Sequence, residues 1–347
     1  MNILLLGYCG ANNTGSEIRI ITIVEDVQKA FPNANIAIAS VNPNNTRKII
    51  KETEQIKIIH LPFIFPLAVN KITKDYDLTL LVEGSTFKDN WSSALLYLFL
   101  WGAWCAKRHG NYCIPYAVDA GNMSKLNRFL TYKVANSMPL IITRTEQAKN
   151  LLKSIGVTTE IVATTDTAFL FEHNIVNQSQ SISTNKKVIG IAPVEFYQWP
   201  VKLKLFGRKD ELYHWPYYFS WTPEKRESSN QLIDTWVKFI KYAVDKYDYD
   251  IQLTAMEELD VKICDAILGK LDDDKYHLRI SKCYAGVLTP QEIVRKLRNL
   301  DYLVTSRYHA CVLSMEAKVP QMCIYHDERL ESIYAEVGIS DLAIKYT

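Results

Sequence analysis

The 347-residue chain has seven cysteines but no C-x-x-C pair. Cys9, Cys105, Cys113, Cys264, Cys283, Cys311 and Cys323 are far apart and odd in number. That pattern excludes a zinc cage and a secreted disulfide framework, and no metal is expected. Most of them sit in apolar runs, where a thiol behaves as a small hydrophobe, so buried reduced thiols are expected. A surplus of one charge is also missing: 40 Lys+Arg stand against 38 Asp+Glu, for a net +2. Proteins that grip phosphate backbones show a basic surplus or stripe, so no nucleic-acid partner is expected. No apolar run reaches the roughly 20 residues that cross a bilayer. The longest, from Ala94 to Ala106, reads as a buried helix. Met1 to Gly7 has no basic lead and too short an apolar run for a signal peptide, which points to the cytoplasm. Short repeats, heptads and low-complexity tracts are absent.

What is present is ordinary globular composition, 48% hydrophobic and 22% charged, with room for two domains. Short β-branched runs alternate with helical stretches. Strands are expected at 2–6, 35–40, 77–82, 112–117 and 140–143, with helices over 15–31, 91–109, 123–137 and 146–155. Gly156 suits the position after the last of these helices. The polar stretch 172–187 reads as a linker or crossover. A second series follows, with strands at 188–192, 250–255, 277–280, 302–305 and 321–325. Its helices are expected over 230–247, 260–268, 308–318 and 328–337. Thr289-Pro290-Gln291-Glu292 is a capping box that starts one more. The reading is an α/β protein with two Rossmann-like domains facing across a cleft, 1–172 and 173–347. The stretch 196–221, dense in aromatics and prolines, reads as an insertion in the second domain. Core packing suits about half of its aromatics; the others suit sugar stacking, and secondarily a peripheral membrane contact.

Six segments carry candidate chemistry. Gly7 to Glu17 joins the first strand to the first helix, where N–H groups and the helix dipole favour an anion or a polar sugar. Its glycines at 7, 10 and 15 match neither G-x-G-x-x-G nor a Walker loop. Ser306-Arg307-Tyr308-His309 follows a strand and opens a helix, the place where ligands collect in open α/β sheets. Arginine suits bidentate binding of phosphate or carboxylate, and histidine suits proton transfer near neutral pH. Glu83-Gly84-Ser85 ends another strand and offers a carboxylate and a hydroxyl. Arg144 is able to reach a ligand, while Thr145 suits a helix cap. Asp166 fits a structural or a functional role equally. Glu328 follows the final strand.

Taken together, these segments resemble the polysaccharide pyruvyl transferase family over nearly the whole chain. The resemblance rests on the Gly-Tyr-x-Gly-x-x-Asn-x-Gly-x-Glu signature of Gly7 to Glu17, and on Ile142-Thr143-Arg144 with Gly156-Val157. It rests further on Asp166-Thr167-Ala168-Phe169 and on Ser306-Arg307-Tyr308-His309-Ala310, followed by Pro320 and Ile324-Tyr325. Ser16, Glu83-Gly84-Ser85 and Thr167 depart from the family pattern. The resemblance implies a fold like the GT-B glycosyltransferases. It implies transfer from phosphoenolpyruvate onto two hydroxyls of a sugar or lipid-linked glycan of a cell-surface polysaccharide, giving a ketal. Phosphoenolpyruvate is the substrate and no cofactor is implied.

On this reading the C-terminal domain holds the donor and the N-terminal domain the acceptor, at the inner face of the membrane. Arg307, Ser306 and Tyr308 are the donor residues, with Arg144 assisting. His309 is the candidate acid, and Glu83 or Glu328 the base. Gly10, Asn13, Gly15, Ser16, Glu17 and Ser85 are candidate acceptor contacts. A nucleotide-sugar glycosyltransferase and a non-catalytic subunit of glycan assembly are the alternatives. A nicotinamide oxidoreductase is disfavoured by the glycine spacing.

Overall fold

A computed structural model describes residues 1–171, 186–326 and 328–346. Most of the polar stretch 172–187 lies outside the described residues. The chain divides into two compact units. Unit 1 comprises Met1–Ala11, Ser16–Leu170 and Gln198–Ser220; unit 2 comprises Asn12–Gly15, Phe171–Tyr197 and Trp221–Thr347.

Unit 1 is built on a five-stranded parallel sheet. Its strands are β1 (Asn2–Cys9), β2 (Asn35–Ser40), β3 (Ile56–His60), β4 (Leu78–Leu81) and β5 (Tyr112–Pro115), in the order β3-β2-β1-β4-β5. Parallel strands covered on both faces are apolar throughout, and β1 shows why. Ile3 and Leu5 enter one core, with Ile20, Ile23 and Val27 of the Thr14–Ala30 helix. Leu4 and Leu6 enter the other, with Leu96, Phe99 and Ala103 of the Ser93–Arg108 helix. The stretch Ala94 to Ala106 thus forms a largely buried helix, as its length indicated. A parallel pair, β6 (Ile141–Thr143) and β7 (Ile161–Ala163), joins at Thr143, which bridges to Val118.

Unit 2 holds a six-stranded parallel sheet that starts at β8 (Val188–Ala192). After β8 the chain contributes three short strands to unit 1: β9 (Val201–Leu203), β10 (Leu212–His214) and β11 (Tyr217–Phe219). The remaining strands of unit 2 are β12 (Asp250–Ala255), β13 (Ile280–Tyr284), β14 (Tyr302–Thr305), β15 (Gln321–Tyr325) and β16 (Ala343–Lys345). Their order is β13-β12-β8-β14-β15-β16. Ile191, Leu253 and Ile251 are fully buried and pack with Trp236 and Ile240 of the Pro223–Tyr247 helix.

Three expectations change. The aromatic stretch, read as an insertion of the C-terminal domain, mostly packs within unit 1. Phe63 stacks on His214 at 4.4 Å, Trp91 meets Trp199 edge-on at 4.9 Å, and the Val201 N–H donates to the Trp91 carbonyl at 2.8 Å. The strand expected at 277–280 begins only at Ile280, because Asp273 caps a short Asp274–His277 helix just before it. The helix expected from 230 begins at Pro223, where Thr222 caps the Lys225 N–H and proline occupies the first turn.

Candidate active site

In unit 2 the strand order switches direction at β8, with β12 and β13 on one side of it and β14, β15 and β16 on the other. Ligands bind at the carboxyl ends of strands beside such a switch. The residues that follow β12 and β14 meet there. The Thr305 hydroxyl accepts the Arg307 N–H at 2.8 Å and turns the chain into the Tyr308–Met315 helix. The Arg307 guanidinium reaches Glu257 at 2.5 Å and also pairs with Asp260. Glu257 and Asp260 are themselves tied in a capping box after β12. The Arg307 side chain is 15% exposed and that of Asp260 2%. Burial pushes Asp260 up to about 7, against the pull of Arg307 and with the push of Glu257. Against the desolvation of its surroundings, Asp260 and Glu257 hold Arg307 firmly in its charged form.

The segment Asn12–Gly15 packs into the same cluster. Asn13 Nδ2 donates to Glu257 at 2.6 Å and Asn12 Nδ2 to Glu258 at 2.9 Å. The Thr14 N–H donates to the Met256 carbonyl at 2.8 Å, so this first helical N–H is taken by the protein itself. Gly15 lies against His309. A Cβ at Gly15 would overlap the imidazole at Nδ1 and Cγ and would stand 2.7 Å from His309 Cβ. Only glycine permits that approach. Tyr308 is buried and meets the His309 ring edge-on at 5.2 Å. The Ser306 hydroxyl, Arg307 Nε and the Thr14 hydroxyl are buried polar atoms without a hydrogen-bond partner in the protein. Glu328 opens the last helix after β15, the neighbour of β14.

A second polar cluster lies in unit 1, at the ends of β1 and β4. Ser16 Oγ stands 3.4 Å from Glu83, and Ser85 is half-buried beside it in sequence. Gly10 takes a left-handed φ of +85°. A Cβ there would press on the Asn42 carbonyl and the Ser40 hydroxyl, each at 2.5 Å. Burial pushes the Glu17 carboxyl up to about 7. Arg144, expected to assist Arg307, belongs to this unit and is 1% exposed. Its Nε and Nη2 bind Asp119 at 3.2 and 2.6 Å, and its Nη1 binds Asp166 at 2.8 Å. Arg19 shares the same Asp166 oxygen at 2.9 Å and also donates to the Val82 and Ala117 carbonyls. In this structure Arg144 and Asp166 are buried anchors for the strand ends of unit 1. No group of His, Cys, Asp and Glu suited to a metal occurs among the described residues.

Sequence reasoning brought Ser306, Arg307, His309, Asn13 and Gly15 forward, and the structure gathers them in unit 2. It expected Asn13 and Gly15 on the N-terminal side with Gly10, Ser16, Glu17, Glu83 and Ser85; the last five do lie in unit 1, whereas Asn13 and Gly15 belong to unit 2. It missed Glu257 and Asp260. The signal was there: three carboxylates in Glu257-Glu258-Leu259-Asp260 directly follow an expected strand.

A family model described as polysaccharide pyruvyl transferase matches residues 13–328. The chain belongs to the polysaccharide pyruvyl transferase family. It is therefore a transferase of polysaccharide synthesis. The match runs from Asn13 to Glu328 and so takes in both polar clusters apart from Gly10 and Asn12. No curated protein matches the sequence. Among solved structures, the chain is similar to the UDP-GlcNAc 2-epimerase of Methanocaldococcus jannaschii. That likeness has 16% identity and a TM-score of 0.60, covering 100% of this chain and 89% of that one. The UDP-GlcNAc 2-epimerase of Neisseria meningitidis, bound to UDP-GlcNAc, is similar with 12% identity and a TM-score of 0.61, covering 96% and 86%. At such identities the likeness speaks for the fold alone, and the fold of this pyruvyl transferase family member is α/β and GT-B-like.

Proposed function

We propose that the protein forms a pyruvate ketal on a sugar of a cell-surface polysaccharide precursor, with phosphoenolpyruvate as donor. The observation that carries this reading is the Ser306–His309 cluster. A charged guanidinium, a positioned imidazole and buried polar atoms without protein partners gather at a switch point of the sheet. Leaving such atoms unsatisfied costs about 1–3 kcal/mol each, which favours a polar ligand against them. Phosphoenolpyruvate offers a phosphate and a carboxylate to Arg307 and Ser306.

The chemistry needs one acid and one base. His309 delivers a proton to the methylene carbon, and C2 becomes electron-poor. A sugar hydroxyl forms a bond to C2 and gives its proton to a carboxylate. The C2–O bond to phosphate then breaks, and a second hydroxyl closes the ketal as its proton leaves with phosphate. Glu83 and Glu328 remain the candidate bases, and Glu257 joins them through its contact with Arg307. Ser16, Glu17 and Ser85 of unit 1 are the candidate acceptor residues, and Asn13 and Gly15 support the donor cluster. The sugar reaches the enzyme free or on a lipid carrier, in the cytoplasm.

Thermal stability against a ligand panel tests the donor. A ligand that binds only the folded state at a hundredfold excess over Kd adds roughly 2.7 kcal/mol. Phosphoenolpyruvate should give such a shift, and Arg307→Lys, which loses the planar fork, should diminish it. A shift with a nucleotide sugar and none with phosphoenolpyruvate would replace pyruvyl transfer by glycosyl transfer.

A further inference from the structure

Three helices of unit 1, Pro66–Ile72, Ser93–Arg108 and Lys125–Ala135, share an unusual surface. With the preceding Phe65 they line an apolar groove of about 480 Å³ that includes Tyr97, Trp101, Trp104, Leu130 and Val134. Trp101 and Trp104 stack at 4.8 Å. On the same helices, large apolar side chains stand in solvent: Leu67 is 87% exposed, Leu126 62% and Phe129 54%. Exposed apolar surface of this kind marks a contact.

The charge on these helices says with what. They carry Lys71, Lys107, Arg108, Lys125, Arg128 and Lys133 and no aspartate or glutamate. In a chain with nearly equal numbers of both signs, that segregation is selective. Two of the six stand beside aromatic rings: Arg108 lies 5.3 Å over Trp104, and Lys133 lies 5.6 Å over Phe129. Asp89, which reaches the start of the third helix, is engaged by the Ser124 N–H and Asn127 Nδ2.

We propose that this face docks on an anionic lipid bilayer. Exposed leucine and phenylalanine enter the acyl boundary, tryptophan and tyrosine lie at headgroup depth, and lysine and arginine meet lipid phosphates. A second copy of the chain is the poorer occupant, because a two-fold contact would set these helices, which carry cations and no carboxylate, against themselves. No helix among the described residues is long and apolar enough to cross a membrane, so the contact is peripheral. It places the enzyme where a lipid-carried sugar would be presented. It does not depend on the donor chemistry proposed above.

The test is co-sedimentation of the full chain with phosphatidylcholine vesicles, with and without phosphatidylglycerol. The protein should bind the phosphatidylglycerol vesicles, bind phosphatidylcholine weakly, and be released by salt. Lys107→Gln with Arg108→Gln should lower partitioning about 25-fold, roughly fivefold per cation. Leu67→Glu with Phe129→Glu should abolish it at unchanged thermal stability, since both side chains are exposed. Stabilisation by phosphoenolpyruvate should persist in both variants, so vesicle binding and donor binding fail separately. Absence of binding to anionic vesicles overturns the proposal, as does wild-type binding by both variants. So does a wild-type dimer that Leu67→Glu with Phe129→Glu converts to monomer.

Discussion

Gly15→Ala separates packing from chemistry at the site. The substitution falls in a helix, where alanine is favoured over glycine by about 1 kcal/mol. Against that gain stands His309. The added Cβ would lie 2.7 Å from His309 Cβ, whereas ordinary contact begins at 3.4 Å. His309 must retreat by at least 0.7 Å (3.4 − 2.7 Å) on that atom alone, and its ring overlaps further. Overpacking of this kind costs about 1–3 kcal/mol, so net stability should change little or fall by about 2 kcal/mol. Catalysis should suffer more, because a displacement of about 1 Å at a reacting group costs about 10²-fold. Gly269→Ala is the control. Gly269 is the last residue of the Val261–Gly269 helix and has nothing within 4 Å of the added Cβ. Urea unfolding and turnover should be measured on both variants. Gly269→Ala should keep full turnover and gain a few tenths to 1 kcal/mol. Gly15→Ala should lose about 10²-fold in kcat with the fold retained. A Gly15→Ala enzyme with wild-type kcat and the same stability gain as the control would refute both the contact and the assignment of His309.

Other outcomes follow from the buried charges and thiols. Asp166→Ala should cost about 3–5 kcal/mol in urea unfolding, because Arg19 and Arg144 would stay buried without a shared carboxylate; a loss under about 1 kcal/mol would contradict the anchoring role. Burial raises Glu17 to about 7 from an ordinary 4.5, so its neutral form is favoured in the folded state. Its contribution is complete below pH about 4.5 and is lost as pH rises through about 7, up to about 3 kcal/mol. Glu17→Gln should therefore match wild type near pH 4.5 and exceed it near pH 8, and parallel melting curves at both pH values would count against this. His309→Ala should lower turnover by ~10²–10⁴-fold while melting as wild type does, and unchanged turnover would remove it from the mechanism. All seven cysteines are buried and free, so a thiol reagent should react only as the protein unfolds, and rapid labelling of native protein would be inconsistent.

Local pattern made much of the fold legible. The run from Asp77 to Val82 is apolar on both faces and forms the inner strand β4, and Thr289 to Glu292 forms the capping box its spacing announces. Short elements were less legible. The strand β3 and the Pro43–Ile49 and Pro66–Ile72 helices are five to seven residues long and gave no clear period. The site was half legible. Arg307 and His309 stand in one motif after a strand, whereas the carboxylates that hold Arg307 come from 47 and 50 residues away in sequence. In sequence Arg144 reads as a cation able to reach a ligand, and only its three-dimensional neighbours reveal a buried anchor.

By itself the sequence determined the alternation of strands and helices, the family resemblance and the strand-end placement of Ser306 to His309, because each depends on residues near in the chain. The tertiary structure alone decided which unit claims the aromatic stretch, which carboxylates grip Arg307, and that three helices line one apolar groove with Arg108 and Lys133 beside aromatic rings of those helices. Those outcomes depend on side chains brought together across long loops, where burial and charge pairing act through space and leave no periodic trace in the chain.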